Sequence, residues 1–198
     1  MSETAPGTPT SRNLGSKIAR TLRIPLGFLL AGLYLWFAPE YTNPLKLAVG
    51  AAVAIVGLIV RGWAAGHIMK NDRLATTGPY AHTRNPLYFG SFLLAAGFAV
   101  AVDWSLLLLV IAFWVLVYAP TMQRERRNIL RRFPEAYPAW EQNVPAFFPR
   151  PTPWQAPDAE HAPFSFDLYM RHREWRAALA FLAAIAWLAW NMGERGIR

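Results

Sequence analysis

The chain of 198 residues has no cysteine, which excludes a disulfide framework, a thiolate metal site and a cysteine nucleophile. Charge is scarce too: only 16% of the residues are Asp, Glu, Lys or Arg, against roughly 25% in soluble domains. So few charges would hardly cover a water-soluble globule of this size, which speaks against an ordinary cytosolic enzyme. No phosphate-loop pattern occurs, and no G-x-G-x-x-G follows a strand. His67, His82, His161 and His172 lack metal-ligand spacing and read as interfacial or solvated residues, so no metal site is expected. Ser, His and Asp are too scattered for a hydrolytic triad. Heptads and internal repeats are absent as well.

Apolar residues are abundant. Hydrophobic residues make up 54% of the chain, with nine Trp. Five stretches carry no charge: Ile24–Pro39, Leu47–Val60, Asn85–Val102, Trp104–Gln123 and Ala177–Gly193. A helix needs about 20 apolar residues to cross a bilayer, and the shorter stretches gain length if Arg23, Lys46 and Arg61 snorkel. The sequence therefore predicts an all-α, polytopic membrane helical bundle of about five transmembrane helices. Seventeen of the 20 Lys and Arg residues fall in segments 1–23, 61–84 and 124–176. By the positive-inside rule these segments are cytoplasmic, which puts the N-terminus there and suits a bacterial inner membrane. The net charge of +8 then faces a membrane surface, and no nucleic-acid partner is needed.

The domain plan follows. Residues 1–22 read as a disordered cytosolic tail without a signal-peptide pattern, and 23–150 as a core of four spans with a cytosolic cap. A proline-rich linker and interfacial segment occupy 151–174, and 175–198 hold a fifth span and short tail. Asp103-Trp104 leaves almost no loop, which predicts a tight helical hairpin, and Pro120 should kink or break the helix leaving the bilayer.

Two polar clusters lie on the expected cytoplasmic side. In Gly78–Gly90, Asn85 reads as an N-cap and Pro86 as the first helical residue. Two tyrosines, Tyr80 and Tyr88, gather there with Arg84 and Asn85, at a helix end suited to an anionic group. The second cluster is Gln123–Arg127. On a helical wheel Arg124, Arg127 and Arg131 face solvent, whereas Arg126 points into the Met122/Ile129/Phe133 stripe, with Glu125 at its edge. A charge on that stripe needs either a partner, Glu141 or Glu125, or an anionic ligand.

These residues resemble a known family. Gly78-x-Tyr80-x-x-x-Arg84-Asn85-Pro86-x-Tyr88-x-Gly90, then Glu125, then Phe133-Pro-Glu-Ala-Tyr137-x-x-Trp140-x-x-x-Val144-Pro145-x-Phe147-Phe148-Pro149 are similar to the pattern of the isoprenylcysteine carboxyl methyltransferase and phospholipid methyltransferase superfamily. The resemblance covers roughly residues 45–150. It implies a membrane bundle binding S-adenosylmethionine on the cytosolic side and methylating a lipid or other lipophilic acceptor. It assigns Tyr80, Asn85, Pro86, Tyr88, Glu125 and Tyr137 to the cofactor, with Glu125 on its amino group. Arg84 and Arg126, as catalytic candidates, would hold the cofactor's carboxylate or the acceptor's anionic group. Glu141 and His82 are the candidate bases; with neither a convincing one, a carboxylate acceptor is favoured, because it needs none. Three departures stand out: Asn85 where the family has His, Arg126 where it has a second Glu, and Pro134 where it has Gly. Amine or thiol acceptors, an NADPH-dependent reductase and a non-catalytic protein of the same fold remain as alternatives, and the oligomeric state stays open.

Overall fold

The computed structural model describes residues 32–68, 73–155 and 162–196, which are helical with no strand among them. The expected tail at 1–22, and the first apolar stretch up to residue 31, lie outside the described residues. Helix α1 is described over 32–41. Asn43 then caps α2 (Pro44–Ala65): its side-chain oxygen accepts the Lys46 amide at 2.9 Å, and Pro44 sits in the first turn, where no amide partner is lost. A short 3-10 turn at Gly78–Ala81 leads to α3 (Pro86–Val102).

The hairpin at Asp103 is present. The Asp103 carboxylate accepts the amide and hydroxyl of Ser105 at 2.9 and 2.7 Å, turning the chain directly into α4 (Leu106–Phe113). A single π turn follows at Trp114–Tyr118, then α5 (Ala119–Arg132). The expected break at Pro120 does not occur; Leu106–Arg132 is one helix of 27 residues. Proline cannot donate to the carbonyl four residues earlier, and the π turn just before it takes up that mismatch. The Thr121 hydroxyl additionally donates to the Val117 carbonyl at 2.8 Å. Two short helices, α6 (Tyr137–Asn143) and α7 (Phe166–Arg171), precede α8 (Trp175–Gly196).

Among the described residues, three helices are long and apolar enough to cross a membrane: Pro44–Ala65, Leu106–Arg132 and Trp175–Glu194. About five spans are not confirmed. The apolar α3 has 17 residues, roughly 26 Å of helix against a hydrocarbon core of about 30 Å. The apolar surface faces outward as lipid requires, with Leu108, Leu109 and Leu116 each 71–74% exposed.

Helices α2 and α3 meet backbone to backbone. A Cβ on Gly57 would lie 2.6 Å from the Gly90 carbonyl oxygen and 2.7 Å from the Leu94 amide, and Gly50 and Gly97 oppose each other in the same way. Such small-residue stripes are how membrane helices gain dispersion contact where lipid removes the hydrophobic drive. A partly buried ion pair ties in α8: Arg61 of α2 donates twice to Glu174 at 2.9 Å and also reaches Ser91 of α3. These contacts set the end of α2 and the start of α3, and so position the loop between them.

Gly57→Val should therefore destabilise the bundle by about 1–3 kcal/mol, the usual cost of overpacking, whereas Gly193→Ala, with open space around it, should not. Thermal unfolding in detergent measures both. An unchanged Gly57→Val midpoint would refute the close approach.

Candidate functional site

The loop after α2 is held in one shape. Gly78 adopts φ +58°, and a Cβ there would fall 2.6 Å from the ring of His67. Contrary to the solvated reading, His67 is buried, with Nδ1 2.9 Å from the Trp63 carbonyl oxygen. His82–Asn85 then run beside the segment after α6. The Arg84 amide donates to Pro145 at 2.9 Å, the Thr83 hydroxyl to Phe147 at 2.9 Å, and the Asn85 side-chain amide to Ala146 at 2.8 Å. In return, Arg150 and Trp154 donate their amides to the carbonyls of His82 and Ala81. The proline-rich stretch thus begins as a strap over the motif. Asn85 occupies the N-cap position of α3, but its side chain serves the strap and makes no capping bond.

Strapping this loop brings three charged side chains together. Arg84 donates through Nη1 to the Tyr137 hydroxyl at 3.0 Å and to Glu141. Arg126 donates twice to the same carboxylate, Nε to Oε1 at 2.5 Å and Nη2 to Oε2 at 2.7 Å. The hydrogen bond from Arg126, with Arg84 adding to it, holds Glu141 below the ordinary glutamate range despite partial burial. Arg126 is 48% exposed at the side chain, Glu141 21% and Arg84 14%. Its partner is therefore a protein carboxylate, and half of its surface stays open. Elsewhere on the same helix the Tyr88 hydroxyl donates to Glu125 at 2.8 Å. The π turn supports this second pair: it stacks Trp114 on Tyr118 at 4.3 Å and sets Tyr118 edge-on to Tyr88 at 5.2 Å.

Two cavities of about 180 Å³ and 190 Å³ flank this cluster. Asn85, Met122, Gln123, Arg126 and Tyr137 line the first. Tyr80, Leu74, Arg73, Arg132 and Phe133 line the second. Arg84, Ile129 and Trp140 line both and form the wall between them. Trp140 is buried and fixed by donating Nε1 to the Tyr80 carbonyl at 2.9 Å.

Of the residues named from sequence, Arg84, Asn85, Arg126 and Tyr137 meet at the first cavity. Tyr80 lines the second, where burial pushes its hydroxyl pKa up, aided by the charges of Glu125 and Glu174. Pro86 is fully buried at the start of α3, and Tyr88 and Glu125 pair with each other outside the residues lining either cavity. Ile129 and Trp140 were not singled out as site residues. A usable signal existed for Trp140, three residues after Tyr137 and hence on the same side of α6. Among the described residues, no three His, Cys, Asp or Glu gather to hold a metal ion.

Residues 48–136 match the family model described as phospholipid methyltransferase. The resemblance drawn from the motifs is borne out. The chain is 31% identical over 134 residues to the cobalt-zinc-cadmium resistance protein CzcN of Cupriavidus metallidurans, covering 65% of this chain and 62% of that protein. It is 33% identical over 107 residues to the nickel-cobalt-cadmium resistance protein NccN of Alcaligenes xylosoxydans xylosoxydans, covering 52% and 50%. The match thus spans only half to three-fifths of these relatives' length. No solved structure matches. The family match and the apolar helices support a membrane methyltransferase.

The shared carboxylate makes stability depend on acid. Glu141 has a lowered folded-state pKa, so its contribution is fully present above the unfolded value of about 4.3 and lost as pH falls through the folded value. Glu141→Gln should be less stable than wild type at pH 7, and the gap should close below about pH 4. Parallel melting curves across this range test it; a gap independent of pH would remove the clamp.

Proposed function

We propose that the chain transfers a methyl group from S-adenosylmethionine to an anionic, lipophilic acceptor, a carboxylate, at the cytoplasmic face of the membrane. The observation that carries this reading is the convergence of Arg84 and Arg126 on Glu141 at the wall of the first cavity. Two guanidinium groups share one carboxylate there, which leaves a net positive charge facing a cavity with no lining Asp or Glu. The cofactor is a zwitterion with a sulfonium, and the residues present fit it. The half-open guanidinium of Arg126 suits its carboxylate, the rings of Tyr137 and Trp140 suit its sulfonium or adenine, and Glu125, one residue from Arg126 but outside the cavity lining and bonded to the Tyr88 hydroxyl, is the candidate for its amino group.

When bound, S-adenosylmethionine supplies an electrophilic methyl group. What the chain contributes is position and a dry wall. Trp140, Ile129 and Met122 exclude water on one side, while the arginines fix the orientation of bound anions. Glu141 is a poor proton acceptor, because Arg126 and Arg84 hold it ionised and below its usual range. An acceptor that keeps a proton would therefore lack a base at this wall, whereas a carboxylate needs none: its oxygen bonds the methyl carbon and the carbon–sulfur bond electrons stay with sulfur.

A phospholipid amine is the second reading, favoured by the description of the matched family. The relatives' names link those proteins to cobalt, zinc, cadmium and nickel resistance. For this chain we read any such link through methylation of a membrane component.

Calorimetry with S-adenosylmethionine tests the cofactor assignment. Glu125→Ala should weaken binding by about 1.5–3 kcal/mol, roughly tenfold or more. Arg127→Ala, exposed on the same helix, should leave it nearly unchanged. Equal small effects would take Glu125 out of the site.

A further inference from the structure

The second cavity holds two buried polar atoms that the protein does not satisfy. The Tyr80 hydroxyl and Arg84 Nε are buried without a hydrogen-bond partner, and both residues line this cavity. Tyr80 is only 6% exposed, so water from outside does not reach it freely. A buried donor left unmet costs stability, which makes two such atoms on one cavity wall notable. Arg84 Nε can only donate, and the tyrosine hydroxyl can donate as well. The other Arg84 nitrogen recorded in contacts, Nη1, is already committed to Tyr137 and Glu141.

The rest of the wall fixes the kind of ligand. Arg73 and Arg132 add positive charge, each with contacts of its own, and no Asp or Glu is among the described lining residues. Ile68, Leu74 and Phe133 make the remainder apolar. A cation would meet only arginines here, and a hydrocarbon would leave both donors unmet.

We infer that the second cavity binds an oxyanion, a carboxylate or phosphate carried on a small apolar body, through the Tyr80 hydroxyl and Arg84 Nε. This site is separate from the first cavity, and it stands whether or not the chain methylates anything. Tyr80 then serves this ligand, and its orphaned hydroxyl has a reason to be there.

The test uses the full chain in phosphatidylcholine nanodiscs, titrated calorimetrically with hexyl phosphate, hexanoate, inorganic phosphate and hexanol. Hexyl phosphate should bind and hexanol should not. Tyr80→Phe should weaken hexyl phosphate by about tenfold or more without lowering the unfolding temperature, since it deletes an unsatisfied buried hydroxyl. Leu74→Trp, which fills the cavity from its apolar wall, should abolish binding by a second route. Arg127→Ala, exposed and outside this cavity, should change it by less than about twofold. Inorganic phosphate binding as well as hexyl phosphate would identify a free anion as the ligand class, and binding of hexyl phosphate alone an amphiphile; either supports the site. Equal affinity in wild type and Tyr80→Phe would overturn it. So would loss of binding in Arg127→Ala, or displacement of hexyl phosphate by S-adenosylmethionine.

Discussion

One carboxylate, Glu141, answers two guanidinium groups from distant parts of the chain. Arg84 arrives from the loop before α3, Arg126 from the last turns of the long helix, and Glu141 itself from the short α6. Without that carboxylate, two positive charges would face each other in a partly buried space, and the loop, the helix end and the cap would repel. With it, the three segments close around Trp140 and Ile129 and leave a cavity on either side. A partly buried cluster of this kind adds little net stability compared with apolar packing, but removing its shared carboxylate leaves two guanidinium groups without their partner. Its effect is on geometry: it decides where the remaining positive charge points.

The membrane part prepares this arrangement from below. Glycine contacts between α2 and α3 let the two backbones touch, and Arg61 with Glu174 fixes the start of α8 against them. Consequently the loop from Gly78 to Asn85 leaves a rigid base and meets a rigid strap. The π turn acts in the same way on the other side, turning Trp114 and Tyr118 toward α3, where Tyr88 meets Glu125. Both polar pairs therefore rest on helix packing within or near the bilayer, and both lie at the end of the bundle where basic residues concentrate.

Much of this was legible in the sequence, for physical reasons. Charge-free runs and aromatic abundance pointed to membrane helices because few other environments accept them, and the apolar stripe of α5 put Arg126 beside Met122 and Ile129. Partnership with Glu141 was one of two open alternatives, since a wheel gives direction on one helix and not the position of another. Span count was harder: α3 is short, and composition does not say whether a short apolar helix crosses. Pro120 misled because a local rule for proline ignores the π turn that absorbs it. The strap was invisible because its bonds end on backbone carbonyls of segments some sixty residues apart, which no spacing encodes. Likewise, Tyr80 shared a motif with Asn85 but lines a different cavity, since the wall of Arg84 and Trp140 exists only in three dimensions.

The account's central claim is chemical: a cluster of arginines without a free base suits methylation of a carboxylate. The most direct measurement supplies methyl-labelled S-adenosylmethionine to the protein in membranes and treats the labelled lipid fraction with alkali. A methyl ester releases its label as volatile methanol, whereas an N-methyl group keeps it. The account predicts label in the lipid fraction that becomes volatile with base. Label that resists base would contradict the carboxylate acceptor, and no protein-dependent label at all would contradict methyl transfer itself.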